Sequence, residues 1–314
     1  MSRFHFDVEP RVVSTWDQFI VEKEPYSIAL DGRVKGKTIY NNHFVNINHH
    51  EGVDRLSTRS TCGQAYIDIK QRFGDRYLKH DSPVNICVND CDQDTGLASW
   101  LIINHERLEG NKSEPLINRL VSVIDLLDVT AGTYPFDLQA STMRKIAWVF
   151  EPYTDARMSG RLPKMDAGGM RDVLEVTHKR ISEHVLGDGD EISPKDMENG
   201  SKYEVIGGGP DWKLVNESGF YARSKMSFDN IESFVSARKN GNDRYVYSIG
   251  KISPFVEFPI KTLYGLLNNA EGIEQENIDC WGGSDTIGGS PRIAGSRLTP
   301  KELESIINDF LSKN

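Results

Sequence analysis

The stretch "HFVNINHH" at residues 43–50 alternates apolar and polar side chains and then ends in two adjacent histidines. Alternation with a period of two is typical of a strand with one buried face, so we predict a strand over residues 43–48. "YSIAL" at 26–30 predicts a buried strand that ends at Asp31, and "VNICV" at 84–88 predicts another that runs into "NDCDQD". Histidines and aspartates therefore follow directly on three predicted strands.

Helical patterns between and after these strands indicate the fold class. "TCGQAYIDIKQRFG" (61–74) predicts a helix closed by Gly74, and "LINRLVSVIDLLDV" (116–129) predicts an amphipathic helix. Strands that alternate with helices of this length predict an α/β domain with a parallel, doubly wound sheet. A second αβ region follows, with strands at "WKLVNE" and "RYVYSIG" and a last helix that has Thr299 as N-cap and Pro300 as its first residue.

Chain length favours two domains, because 314 residues exceed what one core usually organises. We expect a metal-binding α/β domain over residues 1–130 and a smaller C-terminal, substrate-binding αβ domain over 203–314. Between them, residues 131–202 combine helical patterns with a polar, glycine-bearing stretch, so we expect a helical connector and linker there.

Composition limits the class of protein. Hydrophobic residues make up 38% of the chain and charged residues 26%, and the formal net charge is −9, so we expect a globular protein that does not bind long duplex nucleic acid. No apolar run is long enough to span a membrane, and the N-terminal residues lack the apolar core of a signal peptide. Four cysteines without paired spacing favour a reducing, cytoplasmic compartment. The sequence leaves the oligomeric state open.

The residues after the strands suit a metal site. Carboxyl ends of parallel strands meet at one edge of a sheet, so Asp31, His49 and His50 should converge there with the aspartates of "NDCDQD". Those aspartates, Asp90, Asp92 and Asp94, would repel one another unless a cation lies among them. The alternative is a solvated loop in which Asp94 caps the next helix. Carboxylates with imidazoles suit Mn, Fe, Zn, Co or Mg, and Asp31 is the best placed residue to bridge two metals.

Asp125 and Asp128 lie three residues apart, which puts both on one face of the predicted helix. They are further candidate ligands. The alternative is an amphipathic helix that ends in solvated carboxylates.

These motifs resemble the DHH superfamily of metal-dependent phosphoesterases. "DGRVKGKTIYNNHFVNINHH" is similar to the family's Tyr-Asp-x-x-x-x-Arg-Phe-Asp-His-His pattern, with Asn48 in place of the aspartate before the histidines, and "IDLLD" is similar to a later family motif. The resemblance implies that Asp31 bridges the metals, that His49 ligates one metal, and that Asp125 or Asp128 completes the other. It also implies that His50 faces the substrate phosphate. The family's strand-end D-x-D motif should precede Asp31, but the similar "NDCDQDTGLASWL" follows His50, so the motif order would be rearranged.

A glycine-rich stretch in the second region, "GGSDTIGGSPRIAGSRL", resembles the loop with which the family holds its substrate. Glycines let backbone N–H groups approach an anion, and an arginine can donate two bonds to it. We therefore expect substrate contacts from Gly288, Gly289, Ser290 and Arg292. The alternative is a loop that only connects two elements. Arg55 and Arg59 are additional candidates for anion binding, although single arginines are commonly surface residues.

The function expected from these residues is hydrolysis of a phosphoester or phosphoanhydride in a small anionic substrate, namely a nucleotide or a short oligonucleotide. Asp31 and His50 would be the catalytic residues, and a divalent metal, Mn before the others, would bind twice per chain. One alternative is a ligand-binding protein on the same fold that does not hydrolyse its ligand. The other is a one-metal hydrolase of a non-phosphate bond.

Overall fold

A computed structural model describes residues 3–50, 52–78, 81–240, 243–274 and 279–313. The chain forms two compact units, each an α/β arrangement, which confirms the expected fold class. The first unit comprises Met1–Val129 and Ala140–Ser193, and the second comprises Thr130–Gln139 and Pro194–Asn314. No helix in the part of the chain that the structure describes is long and apolar enough to cross a membrane.

The first unit contains a largely parallel sheet. Its described strands are β1 (Phe4–Val8), β2 (Ser27–Leu30), β3 (Ile39–Tyr40), β4 (Phe44–Ile47) and β5 (Val84–Val88). They lie in the order β1-β5-β2-β4-β3, and only the edge strand β3 is antiparallel to its neighbour. Because β5, β2 and β4 are adjacent and parallel, the residues that follow each of them meet at one edge of the sheet.

Helices surround this sheet. They are α1 (Trp16–Glu22), α2 (Thr61–Lys70), α3 (Gln93–Ile103), α4 (Pro115–Val129), α5 (Ser141–Met158) and α6 (Ala167–Leu186). On one face, Phe19 of α1 packs against Ala29 and Cys87 of the central strands. Side chains alternate across a strand, so Ile28 and Leu30 face the other side, and both are buried. The two buried faces explain why the β2 sequence is apolar throughout.

The first unit differs from the expected boundaries because α5 and α6 belong to it. We expected residues 131–202 to form a separate connector, but α6 contacts α3 and β1, and α5 packs against α6. Their buried residues, such as Phe150 and Leu174, explain this placement. Only residues 130–139 and the segment from Pro194 onward group with the second unit.

The helix expected to end at Gly74 ends earlier. α2 stops at Lys70, Arg72 adopts a left-handed backbone with φ of 71°, and Gly74 begins a short π-helix, Gly74–Leu78. A Cβ on Gly74 would lie 1.9 Å from the Glu109 carboxylate, so the close approach of this turn to its neighbour requires glycine.

The second unit has a mixed sheet in the order β10-β11-β9-β8-β7-β6. Its described strands are β6 (Tyr203–Gly208), β7 (Lys213–Glu217), β8 (Ser233–Asn240), β9 (Arg244–Lys251), β10 (Gly282–Gly283) and β11 (Ile287–Gly289). Its helices are α7 (Pro194–Gly200), α8 (Ala222–Phe228), α9 (Ile260–Glu271) and α10 (Pro300–Leu311). Leu263 of α9 and Leu303 of α10 join the main core, and Met226 of α8 packs in a smaller cluster with Phe234. Thr299 caps α10 as predicted.

Candidate metal centre

The two histidines follow β4 in a turn that Asn48 organises. The Asn48 amide nitrogen donates to the carbonyl oxygens of Val34 (3.0 Å) and Gly36 (2.7 Å), and its amide oxygen accepts from the backbone N–H of His50 (3.1 Å). This directs His49 into the protein, where it is fully buried, while the side chain of His50 stays 36% exposed. The residue that departs from the DHH pattern therefore has a clear local role as the amide that shapes the turn.

Asp31 lies at the centre of the cluster. It follows β2 with a left-handed backbone (φ 48°), and its side chain is almost completely buried. One carboxylate oxygen, Oδ1, lies 2.7 Å from His50 Nε2 and 3.3 Å from His49 Nε2. Hydroxyl groups of Thr61 and Thr95 donate to the same carboxylate, each at 3.2 Å. Both histidines and the first turns of α2 and α3 therefore contact the Asp31 side chain.

The three aspartates after β5 have different partners. Asp92 caps α3 by accepting from the backbone N–H of Thr95 at 2.8 Å. Asp90 accepts from the N–H of Cys91 at 2.7 Å. Asp94 is buried and accepts from the N–H groups of Thr61 and Cys62 at the start of α2, each at 2.7 Å. Its Oδ2 also lies 3.6 Å from His49 Nε2. The helix cap is thus Asp92, and Asp94 is the aspartate that reaches the histidine.

The two aspartates of α4 also differ, although they share a helix face. Asp128 Oδ2 lies 2.8 Å from His49 Nε2 and 3.2 Å from Nη2 of Arg55. Asp125 instead accepts from the backbone N–H of Ser60 at 2.8 Å and pairs with Arg59. Asp128 therefore belongs to the histidine cluster, whereas Asp125 fixes the start of α2.

Within the described residues, two groups have the composition and spacing to hold a metal ion. One is Asp31, His49 and His50, and the other is His49, Asp94 and Asp128, and in each group the ligand atoms lie within 4.8 Å of one another. His49 belongs to both. Both ring nitrogens of His49 are buried without a well-directed hydrogen bond in the described structure, although Nε2 faces three carboxylates. A buried nitrogen in this state suits a cation among the carboxylates.

The protonation of the cluster follows from burial and mutual repulsion. Burial, reinforced by the charges of Asp128 and Asp31, raises the pKa of Asp94 to about 7. Burial lowers the basicity of His49, but its contacts with Asp128 and Asp31 outweigh this and raise its pKa to about 11. Burial likewise opposes ionisation of Asp31, yet the contacts with His49 and His50 hold its pKa well below the ordinary value. Protons on Asp94 and His49 would therefore leave when a cation binds.

The thiols near the cluster are poor ligand candidates. Burial and the neighbouring Asp94 charge raise the pKa of Cys62 well above its usual range, and burial with the nearby aspartates also raises the pKa of Cys91. Among the described residues, neither cysteine sulfur belongs to a group of potential ligands, so the candidate ligand atoms are carboxylate oxygen and imidazole nitrogen.

The two arginines predicted to bind substrate make internal pairs. Arg55 donates both to the backbone carbonyl oxygen of Asp128, at 2.8 Å, and to the Asp128 carboxylate. Arg59 pairs with the Asp125 carboxylate. Each holds an acidic side chain of α4 in position, and the Arg59 side chain remains 57% exposed.

The glycine-rich stretch lies in the second unit. Gly288 and Gly289 belong to β11, and the Ser290 hydroxyl accepts from the backbone N–H of Tyr247 at 3.0 Å. The loop at Arg292 is held by Asp279, which accepts from the N–H groups of Ile293 (3.0 Å) and Ala294 (2.8 Å).

Sequence reasoning missed three residues of the cluster. Thr61 and Thr95 orient the Asp31 carboxylate by donating hydrogen bonds to it. Each is a hydroxyl residue in the first turn of its helix, and this feature of the sequence could have identified them. Arg157, near the end of α5, donates to the Tyr153 hydroxyl at 3.2 Å; burial raises the pKa of Asp90, and the Arg157 charge offsets part of that rise. Nothing in the local sequence around Arg157 indicates that α5 approaches this edge of the sheet.

No protein-family model matches the chain, and no curated protein sequence matches it.

Proposed function

We propose that the chain is a metal-dependent phosphoesterase, similar to the DHH superfamily, that hydrolyses a phosphoester or phosphoanhydride of a nucleotide or short oligonucleotide. The observation that carries the proposal is His49, a buried histidine shared by two groups of potential ligands. Because the two groups meet at His49 Nε2, the potential cation positions would lie close together, with the two-oxygen carboxylate of Asp31 as the bridging group, which is the arrangement that phosphoryl-transfer chemistry uses.

Sheet order supports the family resemblance despite the rearranged motifs. β5, β2 and β4 are neighbours in the sheet, so Asp94, Asp31 and His49 come together whatever their order along the chain. A D-x-D segment that follows His50 in sequence can therefore take the same place in space as one that precedes Asp31.

The donor set fits divalent cations that accept oxygen and imidazole, with Mn as the first candidate. His49, Asp94 and Asp128 would hold one ion, and Asp31 would hold the other beside His50, because His49 Nε2 has a single lone pair and can ligate only one cation. Divalent cations bound there would activate a water molecule as nucleophile and stabilise charge on a phosphoryl oxygen.

The protein side chains supply orientation and access. Asp31 fixes the ring of His50 through its 2.7 Å contact, so the exposed edge of that ring faces an incoming substrate. Thr61 and Thr95 fix Asp31 in turn, and Arg55 fixes Asp128. The side chain of His50 is the most exposed of the two ligand groups. It would therefore contact an anionic substrate and donate or accept a proton there.

The net charge of −9 supports a small substrate rather than a long duplex, because a broad negative surface repels a polyanion. The substrate class proposed is therefore a nucleotide or a short single-stranded oligonucleotide.

Two variants on one helix test the proposal. Mn-loaded protein is assayed on mononucleotides, by release of phosphate, and on di- to pentanucleotides, by release of mononucleotides. We expect Asp128→Asn to lower kcat/KM by about a hundredfold or more, since even residues that only support a metal ligand cost 10- to 100-fold. The matched variant Asp125→Asn should mainly lower the melting temperature, because Asp125 binds the start of α2 instead of His49.

Turnover in the parent protein that is lost in Asp128→Asn and largely kept in Asp125→Asn supports the proposal. Absence of turnover on the whole panel, with metal bound, would contradict it and favour a non-hydrolytic ligand-binding protein. Cleavage of a carboxylic ester or amide, but of no phosphoester, would favour a one-metal hydrolase of another class.

A further inference from the structure

A separate cavity of the first unit lies at the far end of α2 from the acidic cluster. Its volume is about 150 Å³, and its lining includes Tyr40 of the edge strand β3, Asp68 and the segment that follows α2. The lining is mainly polar and the cavity is open to solvent, with the rings of Tyr40, Phe73 and Tyr77 as its aromatic part. The side chain of Tyr40 is 43% exposed at its edge, so a ring bound there could extend into solvent.

Aromatic side chains form the floor of this cavity. Tyr77 and Phe73 are buried, with ring centroids 5.0 Å apart, and the ring of Tyr40 lies 6.2 Å from that of Tyr77 at a tilt of 32°. Aromatic platforms of this kind stack nucleobases, whatever the base, because every base has a π-face.

Two arginines of the lining, Arg72 and Arg76, supply cationic groups at the rim, beside the carboxylates of Asp68 and Asp75. Arg72 pairs with Asp75 at 2.8 Å, but its side chain is 82% exposed, and an exposed ion pair contributes little and exchanges readily. The guanidinium of Arg76 lies 5.8 Å from the Tyr77 ring centroid, and among the described residues no carboxylate pairs with it. Arginine beside stacked aromatic rings is the combination that binds the phosphate of a nucleotide whose base is stacked.

Asp68, another polar residue of the lining, can accept a hydrogen bond from the edge of a base. Its Oδ2 accepts from the Tyr40 hydroxyl at 2.5 Å, which fixes the carboxylate beside the ring. A carboxylate accepts from exocyclic amino groups and ring N–H groups of bases.

The segment that carries these residues is held in place. The turn after α2 passes the buried His105–Glu109 pair so closely that Gly74 has no room for a Cβ. Lys70 donates to the carbonyl oxygen of Leu108 at 2.5 Å. The left-handed Arg72 and the π-helix Gly74–Leu78 are thus fixed, and π-helical turns are frequent at functional sites.

From these residues we infer that the cavity between Tyr40 and the 72–77 segment binds a nucleotide, with the base on Tyr40 and the phosphate on Arg72 and Arg76. The site is distinct from the acidic cluster and needs no metal. Its use as a second subsite for an oligonucleotide substrate rests on the proposed function.

The position of the cavity suits such a subsite. α2 begins at Thr61, which contacts Asp31, and reaches Asp68 seven residues later, a span of roughly 10 Å at 1.5 Å per residue. Tyr40 pairs with Val45, four residues before His49, which corresponds to roughly 13 Å along an extended strand. With about 3.4 Å between stacked nucleotides, three to four nucleotides bridge that distance.

Binding is tested without metal, so that catalysis plays no part. Isothermal titration calorimetry in EDTA uses four probes: a nucleoside, inorganic phosphate, nucleoside monophosphates and a single-stranded tetranucleotide. We expect the parent protein to bind the monophosphates more tightly than either the nucleoside or phosphate alone. Arg76→Ala should weaken monophosphate binding by about ten- to a hundredfold, the usual effect of a charge-assisted bond. Tyr40→Ala should weaken it by about five- to a hundredfold through lost stacking.

A matched control is available in Arg180, whose guanidinium lies 4.9 Å from the ring centroid of Trp148 outside the cavity. Arg180→Ala removes an arginine from an aromatic ring in the same unit and should leave monophosphate binding unchanged. Tyr40→Phe keeps the ring and loses only the bond to Asp68, so it keeps the stacking contribution to binding even if Tyr40→Ala does not fold.

The same variants separate two sources of the nucleotide. If the cavity holds the far end of a substrate, Arg76→Ala raises KM for tetranucleotides and not for dinucleotides. If it holds a free nucleotide, the variant loses monophosphate binding with KM unchanged for all lengths. Equal monophosphate binding by the parent, Arg76→Ala and Tyr40→Ala, or no binding by the parent, would overturn the inference even if metal-dependent hydrolysis is observed.

Discussion

Replacing Asp31 by asparagine should separate metal binding from folding. Asparagine is the best tolerated replacement at this position, because the backbone is left-handed (φ 48°) and asparagine adopts that conformation more readily than most residues. The hydroxyls of Thr61 and Thr95 can turn to accept from the new amide group as well as donate to its oxygen. The substitution therefore removes one charge from the cluster with little change in packing.

The magnitude follows from the charges around Asp31. Burial raises the pKa of Asp94 and of Asp92, and the Asp31 charge raises both further by repulsion. Removing that charge relieves the repulsion but also removes the contacts with His49 and His50 that hold the Asp31 pKa low, and because these effects oppose each other, the metal-free variant should melt within a few degrees of the parent. Two unit charges about 4 Å apart interact by about 4 kcal/mol at an effective dielectric of 20. Losing an interaction of this size with a bound cation lowers the affinity for the cation about a thousandfold. We expect Asp31→Asn to lower Mn²⁺ affinity by at least about a hundredfold.

The assay combines Mn²⁺ titration calorimetry with thermal melting in EDTA on the same preparations. Asp155→Asn is the control, since Asp155 is an exposed carboxylate paired with Arg161. Parent-like Mn²⁺ affinity in Asp31→Asn would refute the assignment of Asp31 as a ligand. A fall of about 10 °C or more in the metal-free melting temperature would instead show that Asp31 is mainly structural, since 1 kcal/mol corresponds to about 2–4 °C in a domain of this size.

Three further outcomes are expected. The pKa of Asp94 is raised to about 7 from an ordinary 3.8, so the folded protein binds more protons than the unfolded chain in this window. The free energy of unfolding of metal-free protein should therefore fall as pH rises from about 4 to 7, and His49, whose pKa is about 11, extends the fall above pH 6.5. Denaturant melts with and without Mn²⁺ check this, and a metal-free stability that rises across pH 5–7 would contradict it. Asn48→Asp introduces the aspartate of the DHH pattern, but it places a carboxylate against two carbonyl oxygens. It should therefore lower the free energy of unfolding by about 2–4 kcal/mol in denaturant melts. Unchanged stability would mean that the amide does not shape the turn. Cys62→Ala should leave Mn²⁺ affinity within about twofold by calorimetry, because Cys62 belongs to neither group of potential ligands, whereas a tenfold loss would assign Cys62 to the site.

Strand ends were the part of the site that the sequence could predict. Alternating and apolar runs in the sequence located β2, β4 and β5. Because these strands are parallel, Asp31 and His49, which follow β2 and β4, lie at the same edge of the sheet. β1 escaped prediction because "FHFDV" is short and carries two polar residues, and its pairing with β5 is a contact between distant segments. Strand order likewise depends on such contacts, which no local pattern encodes.

Individual ligand roles could not be read from spacing. Asp92 and Asp94 are two residues apart, and only the start of α2, packed beside α3, decides that Asp94 accepts from it while Asp92 caps its own helix. Asp125 and Asp128 share a helix face, yet one reaches Ser60 and the other His49. Differences of a few ångströms in where a helix begins decide these roles, and they arise from tertiary packing.

The end of α2 shows the same limit on a smaller scale. Gly74 was predicted to close the helix because glycine commonly ends helices. The chain instead leaves the helix at Arg72 and uses Gly74 for a close approach to Glu109, a residue far along the sequence.

Metal stoichiometry of the parent and of His49→Ala tests the central claim most directly. His49 lies in both candidate groups, and two equivalents of Mn²⁺ per chain are predicted for the parent, measured by elemental analysis after equilibrium dialysis. His49→Ala, checked for folding by circular dichroism in EDTA, should retain at most one equivalent, because the imidazole nitrogen ligates one of the two ions. One equivalent or none in the parent, or two equivalents retained at parent affinity in folded His49→Ala, would contradict a two-metal centre that includes His49.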